Sequence, residues 1–397
     1  MKAIGRIIGF LIGILGLLFL DFKLGKKRNK SLNSKCTMSP GQVSLFTSGK
    51  HLFEDFFKEI KQANKQIHIL FYIVKNDEFS KRFFHLLEEK ARSGVEVRLL
   101  VDFLGGLSIP HSRRKSLKES GVLFAYSYKP RPPFFFYSLQ KRNHRKIAII
   151  DGKIGYLGGF NIGKEYIDQD KKLNPWRDYH LKMTGSSVIP LQNVFLHDWN
   201  LERKPEQQEN HSSLPSTGGR YPIQLLVTDG NGLEDSLIQL LHCAKNRIII
   251  GTPYFIPGPS FFQKLRETIR RGVHVTIIIP KIADHAFVKE AGHRFLRPLL
   301  EEGAQILEYQ KGFYHSKVML IDDTICDIGT ANLDKRSFYL NGEINCLITD
   351  ADFIKTLQRE LDRDISECRP IEMPSLYTRD PVRFIKERVA DLLSPFL

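Results

Sequence analysis

The sequence predicts an α/β protein: two tandem copies of one α/β/α sandwich domain, packed about a pseudo-twofold axis and preceded by a hydrophobic helix. Three observations carry this. Runs rich in Val, Ile and Leu alternate with amphipathic stretches such as DEFSKRFFHLLEEKARSG (77–94), which lays helices over both faces of a sheet. The runs then recur in order. NKQIHILFYIV (64–74), RSGVEVRLLVD (92–102) and GVLFAY (121–126) are answered by KNRIIIGTPYFI (245–256), RRGVHVTIIIP (270–280) and GAQILEY (303–309). Finally, RKPEQQENHSSLPSTGGR (203–220), polar and rich in Pro, Gly and Ser, reads as the join between the copies.

These signals divide the chain into a membrane anchor (1–27), a linker (28–42), a first domain (43–205), a second linker (206–220) and a second domain (221–397). Within the anchor, Ile7 to Leu20 is uncharged and is followed by Lys23, Lys26, Lys27, Arg28 and Lys30. This apolar core falls short of the ~20 residues of a comfortable span, but Ile4 and Phe22 extend it, and Arg6 and Lys23 can snorkel. No small-x-small cleavage site follows, and the basic excess lies on the C-terminal side. The expectation is therefore an uncleaved anchor in the cell membrane with the catalytic domains on the cytoplasmic side; a helix lying in the interface is the alternative. Gly9, Gly13 and Gly16 would let two such helices pack closely, which raises the expectation of a homo-oligomer through the anchor.

Composition narrows the function. Hydrophobic residues make up 42 % and charged residues 26 %, a balance for a folded chain. Lys and Arg outnumber Asp and Glu by 59 to 44, and the net charge of +15 implies polyanionic company: nucleic acid, phosphorylated ligands or an acidic lipid surface. The five cysteines (Cys36, Cys243, Cys326, Cys346, Cys368) are scattered without a Cys-x-x-Cys pair, so neither a disulfide framework nor a zinc site is indicated. No cofactor and no metal is expected.

The chemistry lies in a repeated motif. NHRKIAIID (143–151) carries His144, Lys146 and Asp151; HSKVMLID (315–322) carries His315, Lys317 and Asp322 at the same spacing. In each copy a two-residue step keeps His and Lys on one face of an extended strand. A glycine-framed asparagine follows at an equal interval, Asn161 in GGFN and Asn332 in GTAN, each 17 residues after its histidine. If the copies pack face to face, one site gathers two His, two Lys and two Asn. Ammonium and amide donors can hold the charge that substitution at phosphorus places on non-bridging oxygens. One neutral imidazole can attack to give a phosphohistidine while the other, protonated, donates to the departing oxygen and then serves as base. A shared cationic pocket is expected to drive the two imidazoles to opposite protonation states. Asp178 in WRDYH and Glu343 in NGEIN are the candidate orienting carboxylates. Asp151 and Asp322, at strand ends, are expected to brace each domain rather than touch substrate.

These residues resemble the phospholipase D superfamily and, more narrowly, its bacterial cardiolipin synthases. The narrower likeness rests on NHRKIAIIDGKIGYLGGFNIGKEY, WRDYHLK, TPYFIP, RRGVHV, LLEEGAQILEY, GFYHSKVMLIDD and GTANLDKRSFYLNGEIN, and runs from about Gly41 to the C-terminus. The resemblance implies phospholipase D-type domains, with His144, Lys146, Asp151, His315, Lys317 and Asp322 as catalytic positions. It implies transfer of a phosphatidyl group from one phosphatidylglycerol to another, releasing glycerol without a metal, with His144 as nucleophile. Phosphatidylglycerol and an anionic membrane are the implied partners, and no nucleic acid is expected. Family members commonly carry two hydrophobic N-terminal segments, and this chain shows one.

The copies differ before the first motif, where about 12 extra residues fall within a stretch that contains KPRPPFFFYSLQKR (129–142). Its prolines predict an irregular loop, and Phe134 to Tyr137 between basic residues suit a segment dipping among acyl chains. Near the end, Val382, Ile385, Val389, Leu392 and Phe396 fall at helical spacing with Arg383, Lys386 and Arg388, predicting a C-terminal amphipathic helix. The same motif pair serves phosphodiesterases that transfer to water, as in phospholipases and nucleases. A non-catalytic membrane scaffold is the reading from another class.

Overall fold

The computed structural model of the protein describes residues 2–28, 33–203, 218–285, 288–376, 386–390 and 394. Each copy folds as a seven-stranded mixed sheet. In the first, the order across the sheet is Leu123–Ser127, Glu96–Asp102, Gln66–Phe71, Ile147–Ile150, Ile154–Gly158, Trp176–Thr184 and Ser39–Ser48. The second repeats it strand for strand: Gln305–Tyr309, His274–Pro280, Arg247–Gly251, Val318–Ile321, Ile325–Gly329, Gly342–Ile348 and Tyr221–Asp229. The first three strands of each set are parallel because helices return the chain between them, and the remainder are antiparallel.

Helices cover the outer faces, Gly49–Gln62 and Glu78–Arg92 on the first sheet, Leu233–Cys243, Pro259–Arg270 and Val288–Glu301 on the second. Their apolar stripes bury Phe53, Phe56 and Phe83 on one side and Leu237, Phe261 and Leu265 on the other. Between the sheets, Val188–Asn200 and Ala351–Ser366 share one apolar core to which both lobes contribute, from Leu181 and Phe195 to Ile328 and Leu357. The duplicated α/β/α design read from the sequence is the observed fold. That shared middle core binds the lobes as one body.

Two segments depart from expectation. Part of the predicted first linker is ordered as strand: Asn33–Lys35 pairs with Leu226–Thr228, and Ser39–Gly41 pairs with Tyr221–Ile223. An extended segment satisfies backbone groups that a sheet edge leaves open, so the linker became a tie between lobes. The predicted loop at 129–142 instead contains a helix, Phe135–Gln140. Past Pro132 and Pro133 nothing in FFYSLQ opposes a helical turn, and Tyr137 buries itself against the N-terminal helix Lys2–Arg28. There Gly25 is required, since a Cβ would meet the Tyr137 ring at 2.5 Å. Tyr137 N–H donates to Asp21 at 2.8 Å, and Phe22 packs on Phe136 and Tyr137 at 6.3 and 5.9 Å.

Among the described residues no helix is long and apolar enough to cross a membrane. Gly9, Gly13 and Gly16 face open space in the single chain. Of the predicted C-terminal helix only residues 386–390 and 394 are described, with Val389 exposed and Ala390 buried. Val382, Arg383, Ile385, Leu392 and Phe396 lie outside the described residues, as does most of the 206–220 linker.

A buried charge offers a stability test. Asp327 is enclosed in the second sheet with Asn345 Nδ2 at 2.6 Å, and burial pushes its carboxyl up to about 7. Its folded value lies above the unfolded one, so the stabilising protonated form is lost as pH rises toward 7. Asp327→Asn is neutral throughout, and its Tm relative to wild type is expected to be higher at pH 8 than at pH 5, by roughly 1–3 kcal/mol of stability. Thermal melts at the two pH values check this; equal differences at both would refute it.

Candidate active site

Both motif histidines open onto one cavity of about 620 Å³ between the lobes, with Asn161, Asn332, Tyr72, Trp176, Arg142 and Arg336 among its walls. Backbone pairing brings them there. His144 N–H donates to Gly342 O at 2.9 Å and Gly342 N–H to Arg142 O at 2.8 Å, so the approach to the first motif lies along the strand that carries Glu343. Reciprocally, Phe313–Tyr314 pairs in parallel with Trp176–Arg177, and His315 N–H donates to Arg177 O at 2.7 Å. Each motif is stitched to the other lobe's carboxylate strand.

The carboxylates are therefore exchanged. His144 Nδ1 lies 3.0 Å from both oxygens of Glu343, and His315 Nδ1 lies 2.6 Å from Asp178 Oδ2. Sequence reading found both carboxylates but not the exchange, because sequence separation holds no information about which lobe faces which. Glu343 is further held by Thr330 Oγ1 at 2.6 Å and Ser337 Oγ at 2.9 Å, two donors the sequence reading missed. Thr330 stands in the GTAN block, and its first-lobe counterpart is Gly159, where a Cβ would meet Asp178 Oδ1 at 2.1 Å. In each pair an Nδ1–H donated to the carboxylate would leave Nε2 for the substrate, and at His315 the Lys317 Nζ stands 2.6 Å from the same Nδ1. Flanking rings fix the imidazole planes, Tyr72 beside His144 and Trp176 beside His315, each at 4.8 Å.

Lys146 and Lys317 lie buried behind the histidines. Lys146 Nζ donates to His144 O at 2.6 Å, and Lys317 Nζ donates to His315 O and stands 3.6 Å from Asp178. Burial pulls the two ammonium groups down to about 7 and about 8. Asn161 accepts from Ile73 N–H at 3.0 Å and donates to Tyr166 at 3.3 Å; Asn332 donates to Asp334 at 3.0 Å while its buried Oδ1 has no hydrogen-bond partner among the described residues.

The expected opposition of the two imidazoles is not what the free site holds. Burial, then the neighbouring ammonium charges, outweigh the carboxylates and pull both His144 and His315 down to about 4. Burial dominates in each niche despite the carboxylate there, so both are neutral near pH 7. A bound phosphodiester adds negative charge to the cavity and favours protonation of one of them. Both carboxylates stay ionised: burial pushes Asp178 and Glu343 up, but the Lys317 charge and the His315 hydrogen bond for the first, and the His144 hydrogen bond with the Lys146 charge for the second, outweigh it.

Asp151 and Asp322, which the resemblance gave as catalytic positions, make backbone contacts outside the cavity lining. Each sits at the far end of its strand from the histidine and collects three backbone N–H groups at 2.6–3.0 Å, Asp151 from Asn64, Lys65 and Gln66, Asp322 from Lys245, Asn246 and Arg247. They clamp the start of each lobe's central strand. Asp151→Ala is expected to lower Tm by several degrees, a loss of about 1–3 kcal/mol, while the folded protein keeps its specific activity. A loss of activity at full folding, seen by circular dichroism, would return Asp151 to the site.

A duplicated fold that places two carboxylate-held histidines and two buried lysines around one cavity defines a phosphodiester-processing protein of the phospholipase D type. The chain belongs to the cardiolipin synthase family with that domain: the model described as "Cardiolipin synthase, PLD-like domain" matches residues 56–179 and 237–365. It is 37 % identical over 400 residues to the minor cardiolipin synthase of Bacillus subtilis (strain 168), covering 100 % of both chains. It is 38 % identical over 362 residues to a cardiolipin synthase of Oceanobacillus iheyensis, covering 89 % of this chain and 75 % of that one. Its fold is like that of the phosphatidylserine synthase of Haemophilus influenzae Rd KW20, at TM-score 0.75 and 16 % identity, over 90 % of this chain and 97 % of that one.

Proposed function

We propose that the protein is a phosphatidyltransferase that joins two phosphatidylglycerol molecules into cardiolipin and glycerol. The observation that carries this is the single cavity holding two imidazoles with exchanged carboxylates. His144 Nε2 attacks the donor phosphorus, and His315 gives a proton to the departing glycerol oxygen. The second lipid's hydroxyl then gives its proton to His315 as it displaces His144. Lys146 and Lys317, with Asn161 and Asn332, hold the charge that builds on the phosphoryl oxygens.

The protein acts at the cell membrane with its lobes on the cytoplasmic side. Supporting this, Phe10, Ile12, Leu15, Leu17, Phe19 and Leu20 of the N-terminal helix are all more than half exposed, a surface suited to lipid rather than water. The end of that helix docks on the Phe135–Gln140 helix, whose Gln140 meets the cavity residue Arg336 at 2.8 Å, so lipid contact and site are neighbours. Phe135 is 57 % exposed. Phe135→Asp is expected to cut turnover on bilayers about tenfold while sparing turnover in detergent micelles; equal turnover on both would refute a lipid-facing role.

The test of the function is direct. Membranes containing the protein are supplied with phosphatidylglycerol alone and the lipids are separated. Cardiolipin with equimolar glycerol supports transfer, phosphatidic acid would mean hydrolysis, and the absence of both would leave a scaffold.

A further inference from the structure

Because the cavity is built from two copies, the positions where their charges differ are informative. Two residues before His144 stands Arg142, but two before His315 stands Phe313; four residues after Asn332 stands Arg336, but four after Asn161 stands Glu165. The two arginines share a flank. Arg336 acts electrostatically on Arg142, and both act on Tyr72, the ring beside His144. Toward His315 the counterparts are different in kind: Phe313 packs on Trp176 at 4.9 Å, and Asp284 acts on both His315 and Lys317. The two arginines stand on one flank beside Asp102 and Asp334, and the other flank carries Asp284, the aromatic pair and Glu165 with its partner Lys75.

Arg142 carries a second signal. It is 1 % exposed yet lines the cavity. Its Nη1 reaches Asp102 at 3.1 Å and its Nη2 donates to the carbonyls of Tyr128 and Ser138, each at 2.8 Å, but its buried Nε has no hydrogen-bond partner among the described residues. A buried guanidinium N–H left open is costly, and an anion is the ligand that best relieves it. Arg336 enters from the other lobe, its Nη2 held by Gln140 O at 2.8 Å.

Transfer between two lipids poses a problem that transfer to water does not. Both lipids carry a phosphodiester, and the histidines and lysines serve the one that reacts. The second monoanion must enter the same cavity against repulsion from the first. In phosphatidylglycerol the free hydroxyl stands three carbons from the phosphate, on the order of 5–6 Å away. Arg142 and His144, two residues apart on extended backbone, are rooted about 7 Å apart and both line the cavity.

We propose that Arg142 and Arg336 form a second anion subsite, which holds the phosphate of the acceptor lipid while its hydroxyl attacks the phosphohistidine. This rests on the transfer reading above and assigns its acceptor: an alcohol bearing a phosphodiester three carbons from the hydroxyl. In the step served, the P–N bond to His144 breaks as the new P–O bond forms. The hydroxyl proton passes to His315, and His144 leaves as the neutral imidazole.

The test uses the full-length protein on phosphatidylglycerol vesicles, measuring cardiolipin, phosphatidic acid and the exchange of labelled glycerol into phosphatidylglycerol. In Arg336→Gln and in Arg142→Gln the ratio of cardiolipin to phosphatidic acid is expected to fall at least tenfold. The ratio of cardiolipin to glycerol exchange should fall likewise, and Arg336→Lys should recover part of both. Arg336 is only half-buried, so its variants remain informative if those of buried Arg142 misfold. All products falling in proportion, or unchanged ratios, would overturn the subsite while leaving transfer intact. A wild-type protein that yields phosphatidic acid alone would remove the transfer reading and the subsite with it.

Discussion

Replacing His144 with glutamine is expected to abolish cardiolipin formation, a loss of roughly 10⁴-fold or more, because no other side chain in the cavity supplies a neutral nitrogen nucleophile at that position. The fold should survive, since glutamine retains the backbone N–H that bonds Gly342 O and its amide can replace the imidazole N–H toward Glu343. The informative comparison is with His315→Gln. If His144 attacks and His315 protonates the leaving oxygen, a donor with a nitrophenol leaving group needs no acid. The His315 variant should then accumulate acid-labile, base-stable phosphate on the protein, and the His144 variant should accumulate none. The opposite pattern would exchange the two roles. Label on both variants would exclude a phosphohistidine at either site as the sole intermediate.

The second large effect is expected at Glu343→Gln. Glutamine keeps the shape and can still meet Thr330 and Ser337, but it removes the charge that fixes the Nδ1–H of His144 and stabilises the imidazolium. A loss on the order of 10³–10⁴ in kcat is expected, from a residue 199 positions away in sequence and in the opposite lobe. Coupling is the sharper readout. The double variant His144→Gln, Glu343→Gln should be scarcely worse than His144→Gln alone, because the two act as a unit. Independent, additive losses would show that Glu343 serves some other group. If the exchange is as described, Asp178→Asn should instead couple to His315→Gln.

How much of this was legible in the sequence follows from the range of each interaction. The strand-like runs, the duplication and the two histidine and lysine pairs depend on local alternation and short spacing, which the chain displays directly. The strand-end positions of Asp151 and Asp322 were equally readable. The helix at Phe135–Gln140 was hidden because the two prolines before it dominate the local reading, whereas its stabilising partner is the end of the N-terminal helix more than 100 residues earlier. The linker strand Asn33–Lys35 was hidden for the same reason, since its partners lie at Leu226–Thr228.

The sequence by itself determined that two like domains would each present an imidazole and an ammonium group from one face of a strand, because a period of two residues and hydrophobic patterning act over a few ångströms of chain. Only the tertiary structure decided that each imidazole would take its carboxylate from the opposite lobe, that both would be neutral when the cavity is free, and that two arginines would meet on one flank. Those outcomes depend on burial and on distances between segments that no sequence interval encodes: desolvation and charge act through space.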